Sequence, residues 1–515
     1  MTSFTNLGLA FDDIAHRRAE HCALYYPASG ERVSYAQLNR LVERLTAVFH
    51  AKGLRQGQVV ALFHDKSPAA FAAMLACLRL GLIYTNLDPG SPWERIRKIL
   101  QTCQPALIAS GFADRPFHAE LTADGLPETL VLQQALDLAT ANPADMPLPP
   151  IIAPDGGAPA YIMFTSGSTG MPKGAVMSHA NLLWFAAWTR ERFAIVPDDV
   201  ISNVNPMYFD NSVFDFYSSI LCGATLLPIN AEQVRDTRLL VRLINQAACT
   251  LWFSVPSLLV YLLTTRALSP TDWPSLRKIV FGGEGFPKTR LRQLYELFGQ
   301  RAELENVYGP TECTCICSAH TITVQDFDDM QSLAPLGLLA QNFDFEILAA
   351  DSARPERGQL FLRGPQVGLG YYNDPQRRAA AFIQNPRHNL YADIGYLTGD
   401  IVQRDSRGWL HFKGRVDFQI KHMGYRIELE EIEAALGSVS GVMECAVVYQ
   451  KMGNATGEIL AFAVVHAALS AEQLQEALTS LLPAYMQPRH MTILEKLPKN
   501  ANGKIDRIAL QIPAI

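Results

Sequence analysis

Residues 161–174, YIMFTSGSTGMPKG, constrain this chain more than any other stretch. Residues 161–164 are an apolar, strand-like run that feeds into Thr165, Ser166, Gly167, Ser168, Thr169 and Gly170, and Pro172, Lys173 and Gly174 close the segment. Glycine lets backbone N–H groups approach an anion with no Cβ in the way. The hydroxyls of Thr165, Ser166, Ser168 and Thr169 add donors, and Lys173 adds a point charge. This is the composition of a loop that wraps polyphosphate. It is not a Walker A loop, because Pro172 precedes Lys173 and Gly174 follows it. A flexible Gly/Ser linker would share the composition, but linkers rarely follow a buried strand and end in Pro-Lys-Gly.

A chain of 515 residues is too long for one core, so two or three domains are expected. With 49% hydrophobic and 18% charged residues it reads as an ordinary globular protein, and a net charge of -6 gives no support for a nucleic-acid partner. The N-terminus lacks a basic start followed by an apolar core, so no secretory signal is read. No apolar run approaches the roughly 20 residues that span a bilayer. Nine scattered cysteines suit a reducing cytoplasm. Cys313, Cys315 and Cys317 alternate, so on a strand they would share one face and line a pocket or core; zinc would want Cys-x-x-Cys spacing and more ligands.

The spacing predicts helices over 34–52, with Ser34 as cap, and over 69–80, with strands at 59–63 and 83–87. Arg95 in the following turn reads as a packing or pairing residue. Residues 136–160, rich in Ala, Pro and Gly, read as a surface crossing. Beyond the loop comes a helix over 181–193, then strands at 225–229, 250–253 and 278–281 with helices between. Alternation of this kind predicts an α/β fold: a largely parallel sheet covered on both faces. From Gly358 the chain turns β-rich, and after about residue 414 a small α+β unit follows, with a helix at 429–436, strands at 444–449 and 459–465, and a helix at 471–482.

Four further motifs carry chemistry. Residues 306–312, NVYGPTE, set the ring of Tyr308 beside the bare backbone of Gly309, suited to a flat base, with the Thr311 hydroxyl and the hard oxygens of Glu312 close by. In 396–400, YLTGD, Asp400 at a strand end can accept both hydroxyls of a ribose. Residues 414–433, GRVDFQIKHMGYRIELEEIE, offer Arg415 to ribose or phosphate. Lys504 lies in 497–507, LPKNANGKIDR, a loop loosened by Asn500, Asn502 and Gly503.

Taken together, the five motifs resemble those of the adenylate-forming superfamily: acyl-CoA synthetases, luciferases and the adenylation domains of peptide synthetases. The resemblance runs from Tyr35 to Arg507. Gln359 stands where the family commonly has Glu after Gly358. It implies a large N-terminal ATP- and substrate-binding domain (1–413) of mixed and parallel sheets with flanking helices, a hinge (414–418) centred on Asp417, and a small mobile domain (419–515). It also implies two half-reactions. A carboxylate attacks the α-phosphate of ATP, giving an acyl-adenylate and pyrophosphate; a thiol then displaces AMP to give a thioester. Positioning and electrostatics carry such a step. By the same resemblance Lys504 bridges carboxylate and α-phosphate, while Thr165, Ser166, Gly167, Ser168, Thr169, Gly170 and Lys173 hold the β- and γ-phosphates. Gly283, Glu284, Asn306, Tyr308, Gly309 and Thr311 lie along the nucleotide, Asp400 and Arg415 hold the ribose, and Glu312 holds Mg²⁺. The small domain then rotates, withdraws Lys504 and presents the face around Lys421 and Gly424 to the thiol.

Asp210, in FDNSV, bears on which acid is activated. A carboxylate in an apolar pocket is costly unless paired with a cation. Amino-acid-activating relatives use this Asp for the substrate ammonium, and fatty and aryl acid ligases commonly lack it; the bland reading is a helix cap. The resemblance implies further pocket positions at Asn211, Phe214, Phe253, Val280, Gly282, Val307, Cys315 and Ile316; apart from Asn211 nothing there would pair with a charged side chain, so a small or medium apolar amino acid is expected. Because the chain runs only a few residues past Lys504, a separate carrier protein with a phosphopantetheine thiol is the expected acceptor, as in stand-alone ligases such as those for D-alanine. The competing reading is an acyl-CoA synthetase acting on an aliphatic or aryl acid with coenzyme A.

Overall fold

The computed structural model describes residues 4–114, 116–127, 129–141, 146–341, 343–349, 351, 354–452, 456–466, 469–500 and 505–510. Two large sheets organise the first four hundred residues, and each is parallel inside and antiparallel at an edge. The first runs Leu338–Leu339, Ser318–Thr321, Glu303–Tyr308, Lys278–Gly282, Leu251–Ser254, Val200–Asn203, Thr225–Pro228, Cys22–Tyr26, Glu31–Ser34. Its six strands from Glu303–Tyr308 to Cys22–Tyr26 are parallel, and their near-continuous burial fits coverage on both faces. The second runs Gly370–Tyr371, Lys173–Ser178, Pro159–Thr165, Ile83–Leu87, Val59–Phe63, Leu107–Ser110, Thr129–Val131. Its hairpin pairs Pro159–Thr165 with Lys173–Ser178, so the Gly/Ser/Thr loop is a hairpin connection pinned at both ends by a buried sheet.

Helices form where the sequence signals place them. Ser34 caps Tyr35–Ala51 through a full capping box, and Ser67 with Pro68 opens Pro68–Arg79, a helix buried almost throughout. A third, antiparallel sheet of five strands follows, and its last strand, Leu410–Arg415, ends two residues before Asp417. Beyond it the chain builds separate cores. The hairpin Gln419–His422/Tyr425–Glu428 leads into the helix Leu429–Gly437, which packs with Ala471–Thr479 on one face of the sheet Val442–Met452, Thr456–Val465, His490–Ile493. The other face buries Ala446, Val448, Leu460 and Phe462 with Leu497 and Leu510.

The cysteine-rich segment lines pocket and core, as its pattern suggests, but begins without a strand. Thr311–Cys313 is a turn of 3₁₀ helix, and Thr314 and Cys315 then adopt left-handed backbone at φ 59° and 69°. Alternation therefore does not put the three thiols on one strand face: Cys315 reaches the cavity wall while Cys313 and Cys317 are buried in the core. Among the described residues no group of His, Cys, Asp and Glu forms a metal cluster, and no helix is long and apolar enough to cross a membrane.

Candidate active site

One cavity lies between the large and small domains. Its walls include Thr165 and Ser166 of the loop, Asp210, Asn211, Phe253, Val307, Gly309, Thr311, Cys315 and Ile316 of the large domain, and Lys421, Met423, Gly424, Tyr425, Arg426 and Tyr485 of the small one. Gly283 also lines it. Residues far apart in sequence thus converge because the parallel strands end on one side and the lid hairpin docks there.

Asp210 precedes the helix Asn211–Ile220 but its side chain makes no capping bond. Instead it accepts a hydrogen bond from the Thr311 hydroxyl at 2.5 Å. Burial raises its carboxyl above the ordinary carboxylate range, against the pull of that hydrogen bond and of the charges on Lys421 and Arg426. Behind it, Phe214 and Phe253 meet edge to face with centroids 5.0 Å apart. Phe253 reaches the wall; Phe214, Val280 and Gly282 are not among the lining residues. Gly282 is packed flush: a Cβ there would come within 2.4 Å of the Val307 carbonyl.

The residues expected along the nucleotide are held by one another and by neighbouring elements. Asp400 accepts hydrogen bonds from the Tyr308 hydroxyl (2.5 Å) and from Arg415, which also grips Asp417 at 2.6 and 2.7 Å. Asn306 Nδ2 donates to the Pro335 carbonyl at 2.7 Å. Glu284 accepts from Ser257 N and from Gly424 N of the lid hairpin at 2.8 Å.

Glu312 is fully buried. It accepts from Tyr371 Oη at 2.6 Å and from Arg426 at 2.7 Å, with Lys173 Nζ 3.9 Å away. Burial alone would raise its pKa; Arg426 and Lys173 outweigh that and hold it well below the usual range. In the loop, Ser166 Oγ donates to the Arg426 carbonyl at 2.8 Å and accepts from Glu428 N. Gly167 N donates to Glu431 at 3.0 Å, and Lys173 Nζ donates to Glu428 at 3.2 Å. Arg95 pairs with Glu431, as its reading as a pairing residue anticipates. Thr169 accepts from Arg377, and Lys98 holds the Gly170 carbonyl at 2.9 Å. Ser168, Thr169, Gly170 and Lys173 sit outside the cavity wall itself. Lys504 lies outside the described residues. Arg426, Glu428, Glu431 and Tyr371 stand out in the sequence by no motif of their own; the dense charge of RIELEE, 426–431, is the signal for the first three.

A two-domain α/β fold with a Gly/Ser/Thr hairpin loop at the domain interface is the arrangement of an adenylate-forming ligase. The chain belongs to the AMP-binding enzyme family: that family's pattern covers residues 11–372, and the AMP-binding enzyme C-terminal domain covers 431–504. It is 32% identical over 519 residues to L-proline–[L-prolyl-carrier protein] ligase of Streptomyces coelicolor, spanning 96% of this chain and 95% of that one. It is 31% identical over 498 residues to D-alanine–D-alanyl carrier protein ligase of Listeria innocua, spanning 94% and 95%. Among solved structures, o-succinylbenzoate CoA synthetase of Bacillus subtilis shares the fold with a TM-score of 0.84 at 22% identity, over 98% of both chains.

Proposed function

We propose that this enzyme adenylates a small or medium apolar amino acid with ATP and then transfers it to the phosphopantetheine thiol of a separate carrier protein. The observation that carries this reading is Asp210: a carboxylate on the cavity wall, released from helix capping, with apolar Phe253, Val307 and Ile316 around it. An ammonium group is the partner such a carboxylate lacks. The amino acid–carrier protein ligases among the relatives support the same class.

In the first half-reaction the carboxylate oxygen bonds to the α-phosphorus of ATP and the bond to pyrophosphate breaks. Lys504, carried by the small domain, bridges the two reacting anions, and the loop donors hold the departing phosphates. Glu312 fits a Mg²⁺ ligand: its hard oxygens stay ionised and lie next to Lys173 of the loop. The metal would neutralise charge on the phosphates when bound there. In the second half-reaction the thiol sulfur bonds to the acyl carbon, AMP leaves, and the thiol proton goes to solvent. The hairpin carrying Lys421 and Gly424 stands on the cavity wall, which supports reading this lid orientation as the thiol-accepting one. Ile505, next to Lys504, packs with Leu497 and Leu510, none of which lines the cavity.

ATP–pyrophosphate exchange across amino acids and simple carboxylic acids tests the reading. Exchange is expected with small or medium apolar amino acids. Exchange with aliphatic or aryl acids alone would replace it with the acyl-CoA synthetase reading.

Rotation about Asp417 gives a further expectation. Proline there fixes φ and removes the carboxylate that holds Arg415. Asp417→Pro should slow exchange and transfer unequally, measured separately on the same preparation. Equal losses in a folded variant would show that the pivot lies elsewhere.

A further inference from the structure

The cavity that holds Asp210 has a second acceptor on its wall, and no motif assigns it. Asn86 is the penultimate residue of the buried strand Ile83–Leu87, 7% exposed and among the lining residues. Its Nδ2 donates to the Met207 carbonyl at 3.0 Å and faces Met74 Sδ at 3.9 Å. Both of these groups accept, so the amide stands only one way round, nitrogen toward Met207. That leaves Oδ1 buried with no hydrogen-bond partner in the protein. Among the residues lining the cavity, two keep a buried side-chain polar atom in this condition, Asn86 and Thr165. The proposed reaction assigns Thr165 to ATP and gives Asn86 nothing. A buried acceptor left unpaired is costly, and a donor on a bound molecule removes that cost.

Which donor this is follows from where the amide is fastened. Met207 lies in the turn that delivers Asp210: Phe209 N donates to the Pro206 carbonyl at 3.1 Å, and Ser212 Oγ donates to the Met207 carbonyl at 3.3 Å. Amide and carboxylate are therefore linked through the two ends of one four-residue segment, 207–210, beside one cavity. The ribose is assigned to Asp400 and Arg415, on a different sheet. An apolar amino acid has one donor group, its ammonium. The three N–H bonds of an ammonium diverge, so one carboxylate cannot meet them all, and Asp210 already accepts from Thr311.

We propose that Asn86 Oδ1 is a second acceptor for the substrate's ammonium group, so that the enzyme selects for the number of N–H bonds on that nitrogen as well as for its charge. The inference rests on the proposed function and adds a specificity-determining residue to it. Asp210 reads the charge, and Asn86 reads the hydrogen. A pocket built to hydrogen-bond a donor rejects the analogue that lacks it, because its own polar group is then left unpaired.

N-methylation separates the two. The N,N-dimethyl derivative of the amino acid that exchanges best keeps the positive charge and a single N–H, which the carboxylate takes. The measurement is kcat/KM in ATP–pyrophosphate exchange for parent and derivative, in the wild type and in Asn86→Leu, whose side chain has nearly the same size. If the derivative does not exchange, its inhibition constant against the parent is read instead. Asn86→Leu should weaken the parent about 10- to 100-fold more than the derivative, the range for losing a charged hydrogen bond. The preference for an amino acid over its des-amino analogue, which Asp210 carries, should persist. An Asn86 that only anchors Met207 would weaken parent and derivative alike. An unchanged ratio therefore overturns the inference while leaving the amino acid reading intact. If Asn86→Leu fails to fold, Asn86→Ala is read by the same ratio. Should the wild type exchange with no amino acid, the proposed function falls and the second acceptor falls with it.

Discussion

Asp210→Ala should cost the enzyme about 3–5 kcal/mol in kcat/KM toward its amino acid, by analogy with breaking one side of a buried charged pair. The loss should be specific to the ammonium group. A des-amino analogue with the same carbon skeleton brings no charge to leave unpaired, so it should lose little or gain. The quantity to measure is the ratio of kcat/KM for the two substrates, wild type against variant. A carboxylate that merely capped its helix would cost both substrates alike, through about 1 kcal/mol of stability. The absence of a capping bond from Asp210 already argues against that alternative. Thr311 is the complication, since its hydroxyl loses its acceptor in the variant. That effect is common to both substrates and cancels in the ratio. An unchanged ratio would mean that the substrate class is wrong.

Lys504→Ala should reduce adenylate formation by roughly 10²–10³-fold, the usual consequence of removing one contact to charge that develops in the transition state. Transfer from preformed adenylate should be nearly spared, because this lysine is assigned to the first step alone. Pyrophosphate exchange and single-turnover transfer, run side by side, separate the two. Full exchange activity in the variant would remove Lys504 from the mechanism.

Much of the large domain is legible in the chain because its determinants are local. Ser34, Ser67 and Pro68 mark helix starts that the structure reproduces, and alternating strands and helices imply the parallel centres of both large sheets. The antiparallel edges are not visible that way, since they depend on which late strand closes each sheet. The Gly/Ser/Thr loop is legible because one buried hairpin carries it whole. Lid docking is another matter. Glu431 reaches Arg95 and Gly167 across 336 and 264 positions, and nothing in the spacing of RIELEE says which surface it meets. The cysteine alternation foretells a pocket or core lining but not the local backbone, because two successive left-handed residues break any strand period there.

Those two residues also bear on what the pocket can become. Cys315 stands on the wall at φ 69°, a conformation that glycine and asparagine accept and β-branched residues resist. Its carbonyl leaves no room for a Cβ on Gly309 opposite, which would sit 2.3 Å away. Efforts to change the substrate by replacing wall residues therefore meet an asymmetry. Trading Cys315 for glycine enlarges the space and relieves the backbone at once. Valine or isoleucine there, or anything larger than glycine at 309, would have to distort the turn that also carries Thr311 and Glu312. At this corner, selectivity can drift toward bulkier side chains far more readily than toward smaller ones.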